Sequence, residues 1–226
     1  MLVQKKSVEN IYQRLLLEFG PQKWWPARTR FEVIVGAILT QNTNWSNVEK
    51  AIENLRADHL LNPSRLKDVS VSQLASLIKP AGYFNIKAKR LKNFIDFFYQ
   101  EYNGQLKVMA QEEIGLLRRK LLAVNGIGPE TADSILLYAC DKPIFVVDAY
   151  TKRILSRHNL VKSDADYATI QNLFMESLKN ESKMFNEYHA LIVHVGKHFC
   201  KTKPLCDRCP INDISRSAYV KEKLKI

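Results

Sequence analysis

Glycine and proline are scarce, eight of each in 226 residues. That leaves no room for a collagenous repeat, a Gly/Pro-rich linker or a low-complexity tract. No segment alternates apolar and polar residues for long, so a sheet-based fold lacks its signal. No apolar run approaches the roughly 20 residues that cross a bilayer. The start, Met1 to Lys6, has no apolar stretch of the kind a signal peptide needs, and a cytoplasmic protein without membrane partners is expected. Acidic residues are few beside basic ones, 23 against 34, for a formal charge of +11. Such an excess draws in polyanions, nucleic acid or acidic lipid, and by itself says nothing about fold. Cysteine is limited to Cys140, Cys200, Cys206 and Cys209. Three of these crowd together near the end of the chain, which in a reducing compartment favours metal or cluster ligation over disulfides.

What is present reads as helix. Val8, Ile11, Tyr12, Leu15, Leu16 and Phe19 keep helical spacing, and Gly20-Pro21 stops that run. Phe31 to Leu39 is nearly all apolar, a helix buried on most sides. A polar bend follows, Thr40-Gln41-Asn42-Thr43-Asn44, and then Trp45. Ser46 with Glu49 suggests a capping box for the next helix, whose apolar face is Val48, Ala51, Ile52 and Leu55. Leu74, Leu77 and Ile78 mark a short helix closed by Pro80. After the turn around Tyr83 comes an amphipathic helix whose first two turns, Lys87 to Arg90, are basic. Tyr167 to Leu178 and Tyr188 to Val195 mark two more helices. An all-α protein is expected, large enough for one domain or two small ones sharing an interface.

The chain is organised around residues 114 to 155. Ile114 to Ala123 is rich in helix formers. Val124-Asn125-Gly126-Ile127-Gly128 makes a tight turn, in which both glycines permit positive φ. Pro129 suits the first turn of the following helix, where its missing N–H leaves no orphan. That helix presents Ala132, Ile135, Leu136 and Ala139 on one face. Two helices joined in this way expose backbone N–H groups able to hold an anion. A lone G-x-G is equally an ordinary helical turn. Downstream, the apolar run Ile144 to Val147 ends at Asp148, a favoured N-cap type for the helix beginning at Ala149.

Gly126-Ile127-Gly128-Pro129-Glu130-Thr131-Ala132-Asp133, followed by Val146-Val147-Asp148-Ala149-Tyr150, resembles the helix–hairpin–helix–Gly/Pro/Asp superfamily of base-excision DNA glycosylases. The resemblance runs from about Phe31 to Cys209. It implies two helical lobes with a DNA-binding cleft between them. Residues 22–142 would form the lobe with the hairpin, and residues 1–21 plus 143–226 the other. It also implies an N-glycosyl hydrolase acting on double-stranded DNA that carries a damaged base; a monomer is expected.

Asp148 matches the family's catalytic aspartate. Scission of an N-glycosidic bond builds positive charge on the sugar, which a fixed carboxylate stabilises. Gln41 matches the glutamine that fills the gap left by an extruded base, and Tyr83 the residue that wedges into the duplex. Gly126, Gly128, Glu130 and Thr131 lie on the hairpin that approaches phosphate. Bifunctional members place a nucleophilic lysine where this chain has Glu130, and a carboxylate forms no Schiff base. Lys142 and Lys197 have no motif behind them as substitutes.

Trp24, Trp25, Pro26 and Trp45 resemble the aromatic positions of the 3-methyladenine branch, and a cationic purine gains from stacking on tryptophan. A monofunctional glycosylase for alkylated purines is therefore expected. The alternatives are a bifunctional endonuclease III-like enzyme for oxidised pyrimidines and a non-catalytic DNA-binding module. Cys200, Cys206 and Cys209 resemble the iron–sulfur loop of endonuclease III, with one residue fewer in the first gap and Ser215 where the fourth ligand belongs. A 4Fe–4S cluster and a decayed, phosphate-contacting loop are both open on this pattern.

Overall fold

The computed structural model describes residues 2–22, 24 and 27–214, apart from the side chains of residues 2 and 3. Trp25, Pro26 and Ser215, three of the expected site positions, lie outside the described residues. Among the described residues every regular element is a helix, in line with the all-α expectation. None of these helices is long and apolar enough to cross a membrane. The chain divides into two compact units, one of Met1–Trp24 and Pro143–Ile226, the other of Trp25–Lys142.

In the unit Trp25–Lys142, helix α2 (Arg30–Leu39) is the centre. Thr29 caps it through a hydrogen bond from Glu32 N, and every residue from Phe31 to Leu39 is buried. Helix α3 (Trp45–Ala57) buries Val48, Ala51, Ile52 and Leu55, the predicted face. The expected capping box is absent: Asn44 caps this helix by accepting from Asn47 N, and Glu49 instead accepts from Trp45 Nε1 at 2.7 Å. The helix starts two residues earlier than Ser46 as cap would allow, and Glu49 lies one turn from the indole.

Short helices α4 (Pro63–Asp68) and α5 (Val71–Leu77) follow. α5 stops at Leu77, ahead of Pro80, which sits in a 3₁₀ turn, Lys79–Ala81, that follows it. Helix α6 (Phe84–Tyr102) packs on α2 and α5, and its first turns differ from the basic face expected. Lys87 is 1% exposed, and its Nζ donates to Leu39 O and Ala81 O, each at 2.8 Å. The ammonium satisfies carbonyls at the end of α2 and in the 3₁₀ turn, groups a helix terminus otherwise leaves open. Burial, and then the charge of Arg90, push its pKa down to about 8.

Helices α7 (Leu106–Gln111), α8 (Ile114–Ala123) and α9 (Pro129–Ser134) complete this unit. α9 does not continue as a regular α-helix but widens into a π-helical turn, Ile135–Ala139. The predicted face survives that widening: Ala132, Ile135, Leu136 and Ala139 are fully buried.

In the other unit, α1 (Leu2–Phe19) packs on α11 (Tyr167–Ser177) and α12 (Ser182–His198), while α10 (Ala149–Arg157) packs on α12. Residues Ile144 to Val147 lie outside any helix and are buried. Phe145 anchors this core, stacked on Phe174 at 3.7 Å between centroids and edge-on to Phe185 and Tyr188. Such pairings add about 0.5–1.5 kcal/mol each beyond area burial.

Candidate active site

Hairpin residues 124–128 are shaped from three directions. Gly126 has φ +93°, where a side chain is strained. Gly128, expected to share that freedom, is extended at φ −92° and caps α9. Pro129 occupies the first turn of α9, as its fixed φ dictates. Gln41, in the bend after α2, donates its Nε2 to Gly126 O at 3.0 Å and to Thr131 Oγ1 at 2.9 Å. Arg90 of α6 donates to Gln41 Oε1. Asn93, one turn on, donates to Asn125 O at 3.0 Å. Arg118 of α8 holds the fully buried Asp133 of α9 with two hydrogen bonds of 2.7 and 3.1 Å. Gln41, Gly126 and Thr131 thus meet in one network, buttressed by two residues of α6 that no motif singles out. Arg90 and Asn93 share one face of their helix, and that spacing is the signal the sequence offers.

Glu130 is exposed in the first turn of α9 and Thr131 is buried. Tyr83 stands apart from the hairpin network, 68% exposed, in left-handed backbone at φ 47°. With Gly82 also at positive φ, the turn projects an aromatic ring outward, a conformation a bulky residue rarely adopts. Trp45 is half-buried and lines a pocket with Arg28, Glu32, Glu49, Glu53 and Arg56. Glu32 and Arg56 are paired at 2.8 Å.

The other unit carries Asp148. Its carboxylate caps α10: Oδ1 accepts from Thr151 N at 2.7 Å and from Thr151 Oγ1 at 2.8 Å. The second oxygen, Oδ2, is 3.7 Å from His189 Nε2, with the Asp148 side chain 13% exposed. Burial would raise the Asp148 pKa, but His189 and Thr151 outweigh it and hold the carboxyl below its usual value. No local pattern in the sequence links His189 to Asp148, and only the fold brings the two together. Trp24 is half-buried with Lys197 Nζ 5.5 Å from its ring centroid. Lys142 belongs to the unit Trp25–Lys142, not to the one that carries Asp148.

Cys200, Cys206 and Cys209 line one pocket with Arg157 and His158. Arg157 Nη1 lies 3.4 Å from Cys200 Sγ and donates to Lys201 O at 2.6 Å. Among the described residues no three His, Cys, Asp or Glu side chains converge as they would on a single metal ion. The three thiols thus line one pocket without meeting at a point.

Residues 35–180 match the family described as HhH-GPD superfamily base excision DNA repair protein. A Methanocaldococcus jannaschii protein, described as a candidate DNA repair glycosylase, is 50% identical over 94% of this chain and 97% of its own length. Endonuclease III of Sulfolobus acidocaldarius is 31% identical over 82% of this chain and 81% of that protein. Among solved structures, an H. pylori 3-methyladenine DNA glycosylase bound to 1,N6-ethenoadenine has a TM-score of 0.74 and 30% identity. That comparison covers 86% of this chain and 97% of the other. A non-covalent endonuclease III–DNA complex has a TM-score of 0.83 over 98% of this chain and 99% of the other; at 19% identity it speaks to fold alone.

Proposed function

Since the chain belongs to the HhH-GPD superfamily of base excision DNA repair proteins, we propose that it is a monofunctional DNA glycosylase releasing alkylated purines such as 3-methyladenine. The observation that carries this reading is the seat of Asp148. A carboxylate pinned by Thr151 and held ionised in a largely buried site is what an oxocarbenium-like transition state requires. Capping α10 uses one oxygen only, and it is the second oxygen, facing His189, that goes beyond what a DNA-binding module needs.

Each part of the reaction then has its residues. The Gly126–Thr131 turn and the +11 charge hold the phosphate backbone. Tyr83 projects as the wedge, and Gln41 takes the space of the extruded base. Extrusion costs a few kcal/mol, least for a weakly paired lesion. Trp24 and Trp45 are the aromatic residues available, each in its own unit, to stack on a base. An alkylated purine is cationic and already a good leaving group, so hydrolysis proceeds without a covalent enzyme intermediate. Glu130, with no amine, agrees with that route. The relative whose structure holds 1,N6-ethenoadenine is itself a 3-methyladenine glycosylase, which supports the purine reading.

Cys200, Cys206 and Cys209 would hold a 4Fe–4S cluster, with the fourth position at Ser215. When bound, the cluster would tie down the 200–209 loop beside α10 and α12; base release itself uses Asp148 and the aromatic residues.

The test is incubation with duplexes bearing single lesions, scoring free base and strand breaks before and after alkali. Release of 3-methyladenine with breaks only after alkali is expected. Preference for an oxidised pyrimidine would reject the proposed substrate.

A further inference from the structure

Asp148 is gripped from two sides by its own unit, and one side has no counterpart in the reaction as described so far. Thr151 occupies Oδ1 alone. Oδ2 faces the imidazole of His189, with Nε2 3.7 Å away. His189 lies on α12, which packs directly on the α10 helix that Asp148 caps. The ring is only 5% exposed and stands edge-on to Phe145, centroids 6.3 Å apart at 83°. The core therefore fixes the imidazole, and its Nε2 edge is turned to the carboxylate. The separation exceeds a normal hydrogen bond, as contacts of catalytic groups often do before substrate closes the site.

We infer that His189 is a positioning residue for base release: it orients the second oxygen of Asp148 and keeps that carboxylate ionised as the site loses water. The inference rests on the catalytic reading of Asp148. A carboxylate taken out of water tends to bind a proton, and a neutral Asp148 gives the developing sugar cation no countercharge. Thr151 opposes that tendency at one oxygen only. An imidazole acts at the other, either as a neutral Nε2–H donor or as a cation; both favour the ionised carboxylate.

Around His189 within this unit, Asp148 comes from the start of α10. Tyr188, its neighbour on α12, gives its hydroxyl to Val8 O of α1 at 2.8 Å, and Tyr12 of α1 packs on the Tyr188 ring. Both phenols are raised above their ordinary value by burial and stay neutral near pH 7. From α10, Thr151 is the residue on Asp148; from the 143–148 segment and α11 come the rings of Phe145 and Phe174. His194, further along α12, has its ring against Phe19 and His198.

The experiment is a pH series of single-turnover base release from methylated duplex DNA, with Asp148→Asn, His189→Met and His189→Gln beside the wild type. His189→Met keeps bulk but removes the donor, so the acid limb should move up by about one pH unit or more, each unit costing tenfold below it. His189→Gln restores a donor and should return the limb most of the way. Affinity for undamaged duplex should be unchanged in both. A merely structural role would lower the rate at every pH without moving the limb, and an unmoved limb in folded His189→Met overturns the inference. Full activity in Asp148→Asn overturns the reading of Asp148 itself, whereas an inactive Asp148→Asn with an unmoved limb in His189→Met overturns the role of His189 alone.

Discussion

Arg90 lies so close to Gly126 that a β-carbon on the glycine would fall 2.3 Å from the arginine Cγ and 2.8 Å from its Cδ. The same arginine reaches Gln41, which holds Gly126 O and Thr131. The hairpin is therefore a packed object, and its two glycines do different work. Gly126 needs both positive φ and empty space. Gly128 has ordinary backbone, and a β-carbon there would meet nothing within 4 Å, so what it leaves clear is the outside.

Gly126→Ala should destabilise the fold by about 1–3 kcal/mol, the usual cost of overpacking with backbone strain. It should also weaken binding to damaged and undamaged duplex alike. Gly128→Ala should leave the melting temperature near wild type while weakening DNA binding, because its methyl faces the approach of a phosphate. Thermal melts and binding isotherms at several salt concentrations check both. Wild-type affinity should fall linearly in log–log form as salt rises. A salt-independent affinity, or equal stability losses in the two variants, would contradict this account.

What is legible in the sequence and what is hidden follow from range. Periodicity is local, so the buried faces of α1, α3 and α12 and the all-helical class can be read from spacing, and the burial of α2 from its unbroken apolar run. The turn Gly126–Pro129 is readable because Gly and Pro act on their own backbone. Contacts between distant residues are not. Lys87 reads as a surface charge, and only the fold brings Leu39 O and Ala81 O to it. Arg90 against Gly126, and His189 against Asp148, likewise join residues far apart in the chain. The π turn at 135–139 is hidden because one extra residue per turn barely disturbs a five-residue apolar face. Asn44 displaces the expected Ser46 cap because two good cap residues stand two positions apart, and the polar bend decides between them.

Lys87 gives a stability prediction with a definite sign. Its folded pKa is lowered to about 8, below the ordinary lysine value near 10.4. Between those values the unfolded chain binds the proton and the folded one releases it, so this group adds stability as pH rises. The contribution is complete above the unfolded value and is lost as pH falls through about 8. Lys87→Met, which leaves Leu39 O and Ala81 O without their donor, should be less stable than wild type at pH 7. The gap should widen toward pH 10. Urea denaturation at three pH values measures it, and a gap independent of pH would show that Lys87 does not titrate in this range.

The cysteine loop makes a separate claim. Protein purified without oxygen should be brown, with broad visible absorption and about four irons per chain if Cys200, Cys206 and Cys209 carry a 4Fe–4S cluster. Cys206→Ala should lose colour and iron together. Iron-free protein with full base release would mean that the loop serves only through Arg157 and its basic neighbours.

The chemistry at the hairpin exit gives the most decisive prediction. Glu130 is exposed in the first turn of α9, where bifunctional relatives of the family carry their amine. Without that amine no Schiff base forms, and β-elimination has no starting point. Borohydride should therefore trap no adduct between wild-type protein and damaged duplex, and strands should break only after alkali. Trp45 adds the substrate half of the argument. Its indole N–H is held by Glu49 at 2.7 Å, so the ring stands in a fixed orientation beside a carboxylate. An electron-rich face next to negative charge favours a cationic purine over a neutral, saturated pyrimidine. Trp45→Ala should lose base release by about tenfold or more, in keeping with roughly 1–3 kcal/mol for one stacked base, while binding undamaged duplex almost as before. Glu49→Gln keeps an acceptor for the indole and removes the charge, so it should lower release of cationic 3-methyladenine more than release of neutral 1,N6-ethenoadenine. A trapped wild-type adduct would point to Lys142 or Lys197 as nucleophile and return the bifunctional mechanism to first place. Faster processing of thymine glycol than of methyladenine would reject the purine pocket.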